Sequence, residues 1–169
     1  MTEQEKYMKA ALRLAQRSAA EGEVPVGCVV VCDGKIVGRG RNRRETKKTA
    51  LSHAEIEAIG KACKKLGGWR LHRCDLYVTL EPCPMCAGAI INARIKTVYY
   101  GADDPKAGSC GSLINLFDVA YNHKPEVVRG VLQEQCAAAL TDFFRALREK
   151  RKREKQLARA QREADADTP

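Results

Sequence analysis

A chain of 169 residues is one domain by length and long enough to bury a single core, and a composition 44% hydrophobic and 30% charged is ordinary for a globular protein. The formal net charge is +9, and the segment from Arg145 onward holds nine Lys/Arg against five Asp/Glu, so the rest of the chain is basic too; such a body suits a polyanionic partner, or serves solubility alone. The opening residues Met1-Thr2-Glu3-Gln4-Glu5-Lys6 show no basic or apolar region of a secretory signal, and no apolar run approaches the ~18 residues needed to cross a bilayer, which predicts a soluble, cytoplasmic protein.

Taken in chain order, Met8, Ala11, Leu12, Ala15 and Ala19 fall at helical spacing and predict an amphipathic helix over 4–21, ended by Gly22. Residues 26–32 are apolar and rich in valine, as a central strand is, and Asp33-Gly34 predicts a tight hairpin to a more polar edge strand over 35–40. A polar, basic loop spans 41–52. A second helix is expected over 53–66, closed by Gly67-Gly68, then a strand over 76–80. The helix predicted over 84–93 is apolar on most faces and should be buried, and a fourth strand covers 97–100. Residues 101–125 are turn-rich with one helical turn near 112–117, and a short fifth strand is expected near 126–131. The last helix starts near Gln133 with an apolar stripe of Cys136, Leu140, Phe143, Phe144 and Leu147, then turns highly charged, with residues 164–169 expected to be disordered. Strands alternating with helices predict an α/β fold, a three-layer α/β/α domain on a central five-stranded mixed sheet. The domain proper covers 1–150, and 151–169 form a charged helical extension and tail.

The chemistry is concentrated in two segments, Ser52-His53-Ala54-Glu55 and Glu81-Pro82-Cys83-Pro84-Met85-Cys86, each opening a predicted helix. Six of the eight cysteines are scattered and read as small buried hydrophobes, whereas Cys83 and Cys86 at i, i+3 put both sulfurs on one face of a first turn. Pro84 suits the first helical position, and the unpaired N–H groups there favour thiolate, the metal-binding form. His53, Cys83 and Cys86 make three ligands for a Zn²⁺ ion, one per chain, and leave a fourth position open, as a catalytic zinc requires. Glu55 is the candidate general base. Each part has a plainer reading: Ser52-x-x-Glu55 is a capping box, and Cys-x-x-Cys alone is a redox pair. A closed zinc module would recruit Cys74 or Cys110 as a fourth ligand and leave Glu55 idle.

His-x-Glu followed by Pro-Cys-x-x-Cys is the signature of zinc nucleobase deaminases. The chain resembles the cytidine deaminase-like superfamily over residues 4–150 and, within it, the bacterial tRNA adenosine deaminases. The resemblance is carried also by Glu23-Val24-Pro25-Val26-Gly27, Gly40-Arg41-Asn42-Arg43, Gly108-Ser109-Cys110-Gly111-Ser112 and Asp142-Phe143-Phe144-Arg145. It implies hydrolytic deamination of adenosine to inosine at the wobble position of a tRNA, with Glu55 carrying the proton from an activated water to the ring and then to departing ammonia. It assigns Asn42 to the flipped base, Val26 to the pocket wall, Asp104 and Lys106 to flanking nucleotides, and Phe144 and Arg145 to the anticodon stem-loop. It also implies a homodimer, with the 84–93 helix and the segment near 112–117 facing the second subunit. Asn42 and Asp104 are equally good turn residues, and Phe143 and Phe144 equally good core. The run Lys47-Lys48-Thr49-Ala50-Leu51-Ser52 departs from the Asp-Pro-Thr that many members carry before the histidine. The rival of the same chemistry is a deaminase of a free nucleobase or nucleoside, guanine or cytosine.

Overall fold

The computed structural model describes residues 1–166. Helix α1 (Glu3–Ala20) opens on a capping box, in which Thr2 Oγ1 accepts from the Glu5 amide at 3.2 Å and the Glu5 carboxylate accepts from the Thr2 amide at 2.9 Å. It buries Tyr7, Met8, Ala11, Leu12 and Ala15. Ser18, not Ala19, continues the buried stripe, and its hydroxyl donates to the Asn42 carbonyl at 2.8 Å.

Strand β1 (Gly27–Cys32) is buried along its whole length and turns through Asp33 (φ 48°) and Gly34 (φ 73°) into β2 (Lys35–Arg41). Positive φ at both turn residues is what the Asp-Gly pair permits. The five-stranded sheet has the order β2-β1-β3-β4-β5, completed by β3 (Cys74–Leu80), β4 (Thr97–Ala102) and β5 (Glu126–Val128). β1 is antiparallel to β2 and β3, whereas β3, β4 and β5 are mutually parallel, so the sheet is mixed and β2 is an edge, as expected.

Alternation along the strands sends Cys28, Val30, Leu76, Val78, Val98 and Tyr100 to one face, against α3 (Ala54–Leu66) and α4 (Pro84–Ala93). Val29, Val31, Tyr77 and Tyr99 go to the other face, against α1 and the start of α5 (Gln133–Ala166). This is the expected three-layer α/β/α arrangement.

The differences are local. The 41–52 loop contains a helical turn, α2 (Arg44–Lys47), whose first amides are held by the buried Glu23 carboxylate. The helical turn expected near 112–117 is a 3-10 turn at Leu116–Asp118, and β5 ends at Val128 rather than 131. Helix α4 buries Cys86, Ala87, Ile90, Ile91 and Ala93 but leaves Met85, Gly88 and Ala89 half-exposed, so its second apolar face is uncovered. Five of the six scattered cysteines are buried and Cys63 is partly so, and all are free thiols. The apolar stripe of α5 buries only Cys136; Leu140 packs at the core margin, Phe143 is half-buried and Phe144 is exposed. α5 is helical through Ala166, further than expected, and 167–169 lie outside the described residues. No helix among the described residues is long and apolar enough to cross a membrane.

Helix α3 lies so close to β2 that a Cβ at Gly38 would collide with the Ala58 carbonyl, and one at Gly40 with the Ala54 carbonyl. Gly60, inside α3, faces open space. Gly38→Ala is therefore expected to lower stability by ~1–3 kcal/mol through overpacking against backbone, whereas Gly60→Ala should raise it by ~0.5–1 kcal/mol through helix propensity. Urea unfolding of the two variants checks the opposite signs.

Candidate functional site

Because β1 opposes β2 and β3 while β3 parallels β4, the start of β1 and the ends of β2, β3 and β4 share one edge of the sheet. Val26, Asn42, Glu81 to Cys83 and Asp104 adjoin those strand ends, so the topology gathers segments remote in sequence. Backbone bonds sew them together: Asn42 N to Val26 O at 2.9 Å, Arg43 N to Ser52 O at 3.1 Å, and Ser109 N to Pro82 O at 2.9 Å. The ends of parallel strands in an open α/β sheet are where such folds place their ligand sites.

Two helices begin at this edge. His53 precedes α3 in extended conformation (φ −81°, ψ 153°), and Cys83 precedes α4 in the same way (φ −72°, ψ 173°). Neither side chain caps its own helix, so both are free to turn toward each other. His53 Nδ1 lies 3.6 Å from Cys83 Sγ and 3.5 Å from Cys86 Sγ, and the three donor atoms fall within 4.8 Å of one another. Tetrahedral zinc with ordinary Zn–S and Zn–N bonds sets a nitrogen–sulfur separation of about 3.6 Å. The donor set and its spacing therefore fit zinc. Cys74 and Cys110 are not part of this group among the described residues, so the fourth position is not closed by a further cysteine.

The electrostatics follow from crowding. A hydrogen bond from the Cys86 thiol pulls the Cys83 thiol down to about 4, against burial and with help from His53. Cys86 is driven up by the sulfur of Cys83 and by burial. The pair thus shares one proton, which a bound dication displaces. Its bond to Cys83 holds His53 above its ordinary value, against burial. Glu55 is 4% exposed, and burial, augmented by the Cys83 charge, pushes its carboxyl up to about 7. That carboxyl hydrogen-bonds with the Cys86 thiol. The capping box predicted for Ser52 and Glu55 is absent. His53, not Ser52, occupies the cap position, which shifts the register by one and turns Glu55 inward instead of back to the helix start.

The remaining predicted residues divide. Val26 packs at the margin of the α3/α4 core, and Asn42, 8% exposed, uses part of its amide locally. It donates to Val24 O at 3.1 Å and accepts from the Arg44 amide at 3.3 Å, using two of the four hydrogen-bonding positions an asparagine has. Asp104 Oδ1 accepts from the Lys106 and Ala107 amides at 2.9 and 3.2 Å, which is turn chemistry, and Lys106 is exposed. Phe144 and Arg145 belong to α5, whose first turns pack on the opposite face of the sheet from α3 and α4. Arg145 pairs with Asp142 at 3.2 Å on the surface, and Phe143 meets Phe144 edge-on at 5.4 Å between ring centres.

Residues 2–148 match the model of the MafB19-like deaminase family. The tRNA-specific adenosine deaminase of Bacillus subtilis is 51% identical over 153 residues, which span 90% of this chain and 95% of the relative. A solved tRNA:A34 deaminase, studied for A-to-I editing at the wobble position of transfer RNA, superposes with a TM-score of 0.77 at 43% identity, covering 80% of this chain and 99% of its own. The guanine deaminase of Bacillus subtilis superposes with a TM-score of 0.57 at 46% identity over 59% of this chain and 64% of its own.

Two buried carboxylates and the partly buried Glu57, with no role legible in the sequence, organise the loops around the histidine–cysteine group. Glu23 accepts from the Glu45 and Thr46 amides at 3.2 and 2.6 Å and so holds α2, and Glu57 pairs with Arg43 at 2.7 Å and Lys47 at 2.8 Å. Glu81, 2% exposed, accepts from the amides of Asp104, Cys110 and Ser112, each at 3.0 Å, and from the Ser112 hydroxyl. Glycine is required at 108 because a Cβ there would strike this carboxylate. The only signal for Glu81 in the sequence is its place two residues before Cys83. Burial alone would raise its carboxyl, but the hydrogen bonds outweigh burial and hold it below the ordinary range. A carboxyl depressed in the folded state contributes stability that is full above its unfolded value and is lost as pH falls through the folded one. Glu81→Gln, which turns donors toward donors, is expected to cost ~1–3 kcal/mol at pH 7. The deficit should begin to shrink below about pH 4.5, where the unfolded carboxyl takes up its proton, and should be lost as pH falls through the lower folded value; urea midpoints measured against pH read both.

Proposed function

The chain belongs to the MafB19-like deaminase family and stands there with the tRNA-specific adenosine deaminases, and from that premise we propose that it deaminates adenosine to inosine at the wobble position of a tRNA, with zinc as its cofactor. The observation that carries the chemistry is a three-donor group at zinc spacing with a buried carboxyl against it. His53, Cys83 and Cys86 would hold the ion, which when bound supplies a Lewis acid that makes a water a nucleophile at neutral pH.

The chain's own groups supply the rest. Glu55 is the proton carrier: it takes one proton of the attacking water and passes it to a ring nitrogen, then takes the proton of the new C6 hydroxyl and delivers it to the amine as the C6–N bond breaks and ammonia leaves. A carboxyl poised near neutrality by burial suits a group that must both accept and return a proton. A dication at the triad would draw that carboxyl back down and favour the accepting form. Asn42 and Val26, bonded to each other at the sheet edge that carries the triad, would form the base pocket, where the remaining amide positions of Asn42 can read the edge of an adenine turned out of its stack. Asp104 and Lys106, on the loop tied to Glu81, serve the flanking backbone, and exposed Phe144 and Arg145 offer a stacking face and a cation to the anticodon loop. The net charge of +9 supports a polyanionic substrate. The likeness to a guanine deaminase favours, as a second reading, a free purine base.

One zinc per chain is the expected content, lost in Cys83→Ala and kept in Glu55→Gln, with the latter's turnover down by ~10²–10⁴-fold. Metal analysis beside ammonia release from an anticodon stem-loop, free adenosine and free guanine reads all of these. Turnover of guanine in preference to the stem-loop would replace the tRNA reading, and zinc retained in Cys83→Ala would end the ligand assignment.

The exposed Leu113, Ile114, Val119 and Tyr121 flank the 3-10 turn Leu116–Asp118 that packs beside α4, and with half-exposed Met85, Gly88 and Ala89 of α4 they support a homodimer through this surface. Sedimentation should give a dimer that Leu113→Asp dissociates; a monomeric parent at micromolar concentration would remove the proposal.

A further inference from the structure

Helix α5 continues well past the body: at 1.5 Å per residue, the stretch from Arg148 to Ala166 adds about 27 Å, and all its side chains are exposed. A surface helix with no core to cover owes its pattern to something else. At 100° per residue, Arg148, Arg151, Lys152, Lys155, Arg159 and Arg162 fall within an arc of about 100° on one side. The acidic residues Glu149, Glu154 and Asp165 fall outside it, and only Glu163 borders it, paired with Arg159 at 2.7 Å. Lys150, off the stripe, pairs with Glu154 at 4.0 Å. Arg148, Arg151, Lys152 and Lys155 lie side by side on this exposed face and take part in no ion pair among the described residues. Glu149 and Glu154 stand three residues from Lys152 and Arg151, within reach for pairing, yet Glu154 pairs with Lys150 and Glu149 with none of these cations among the described residues. Instead one face is left as an uncompensated row of cations about 10 Å long, beginning one turn beyond Arg145.

We propose that this basic stripe of α5 binds the phosphate backbone of the double-helical stem below the RNA loop that enters the site. The inference rests on the reading of the site as that of an RNA deaminase. The partner follows from charge complementarity and shape. A rigid straight row of guanidinium and ammonium groups matches a row of phosphates, and it carries no aromatic side chains that could stack on unpaired bases. Stem binding of this kind is indifferent to sequence, so it adds affinity and orientation while base choice stays with the pocket.

The test compares two RNA hairpins with the same adenosine-containing loop, one on a long duplex stem and one on a stem of two or three pairs. The full-length parent and the variant R148Q/R151Q/K152Q/K155Q are compared; glutamine keeps helix propensity on an exposed surface. For the long stem, the parent should bind at least tenfold more tightly than the variant, and the slope of log K against log salt should fall by about 3 in the variant, as expected when four phosphates are no longer neutralised. For the short stem the two proteins should bind alike. Equal affinity and slope on the long stem would overturn the stripe while leaving the deaminase reading intact. Failure of the parent to deaminate either hairpin would instead strike that reading. A variant that keeps long-stem binding but loses binding to phosphatidylserine vesicles would overturn the proposal in favour of an anionic membrane.

Discussion

His53 and the two cysteines lie 30 and 33 residues apart in the chain, yet their donor atoms meet within 4.8 Å. That meeting depends on one constraint: α3 and α4 must begin at the same edge of the sheet, side by side. The antiparallel pair β1/β2 returns the chain to that edge before α3, and the parallel pair β3/β4 makes α4 a crossover helix on the same face. A right-handed crossover needs its helix packed onto the sheet, and here α4 does so through Ala87, Ile90 and Ile91. The glycines at 38 and 40 let α3 approach the edge strand closely. Loss of either packing would separate the imidazole from the sulfurs before it touched any chemistry.

The same edge holds an unusual density of buried acid. Glu55 is forced toward neutrality by burial, whereas Glu23 and Glu81 lie as deep but stay below the ordinary carboxylate range. The difference is in their partners. Glu81 receives three backbone amides and a hydroxyl, and Glu23 two amides and the Thr46 hydroxyl, all of which stabilise the charged form. Glu55 is bonded by its own amide and by the Cys86 thiol, which do not offset its burial and the neighbouring Cys83 charge. One environment makes a fixed anionic post for the loops, and the other makes a group that can exchange a proton.

The C-terminal helix obeys a different logic from the body. Up to Leu140 it is held by the sheet, and beyond Arg148 it is held by nothing but its own hydrogen bonds and surface pairs such as Arg159 with Glu163. Its charge pattern is therefore free of packing demands and is read most directly as a statement about what approaches it.

Periodicity and composition determined a good deal by themselves. The five strands, the helices at both ends and the two ligand segments are legible because each is a local pattern: alternation, a 3.6-residue stripe, an Asp-Gly turn, a Pro-Cys-x-x-Cys helix start. The family resemblance came from the same short motifs. What the linear pattern did not decide is where neighbouring side chains point. Ser52-x-x-Glu55 has the form of a capping box, but the chain enters α3 one residue later and sends the carboxylate into the site. Phe144 continues an apolar stripe yet stays exposed, because the sheet ends before α5 does. Glu81 and Glu23 look like surface charges until the loops from 104–112 and 44–46 fold over them and supply their donors. Hydrophobic pattern encodes which face of an element is buried; the partners of a buried polar group come from segments remote in sequence, and only the tertiary structure brings those together.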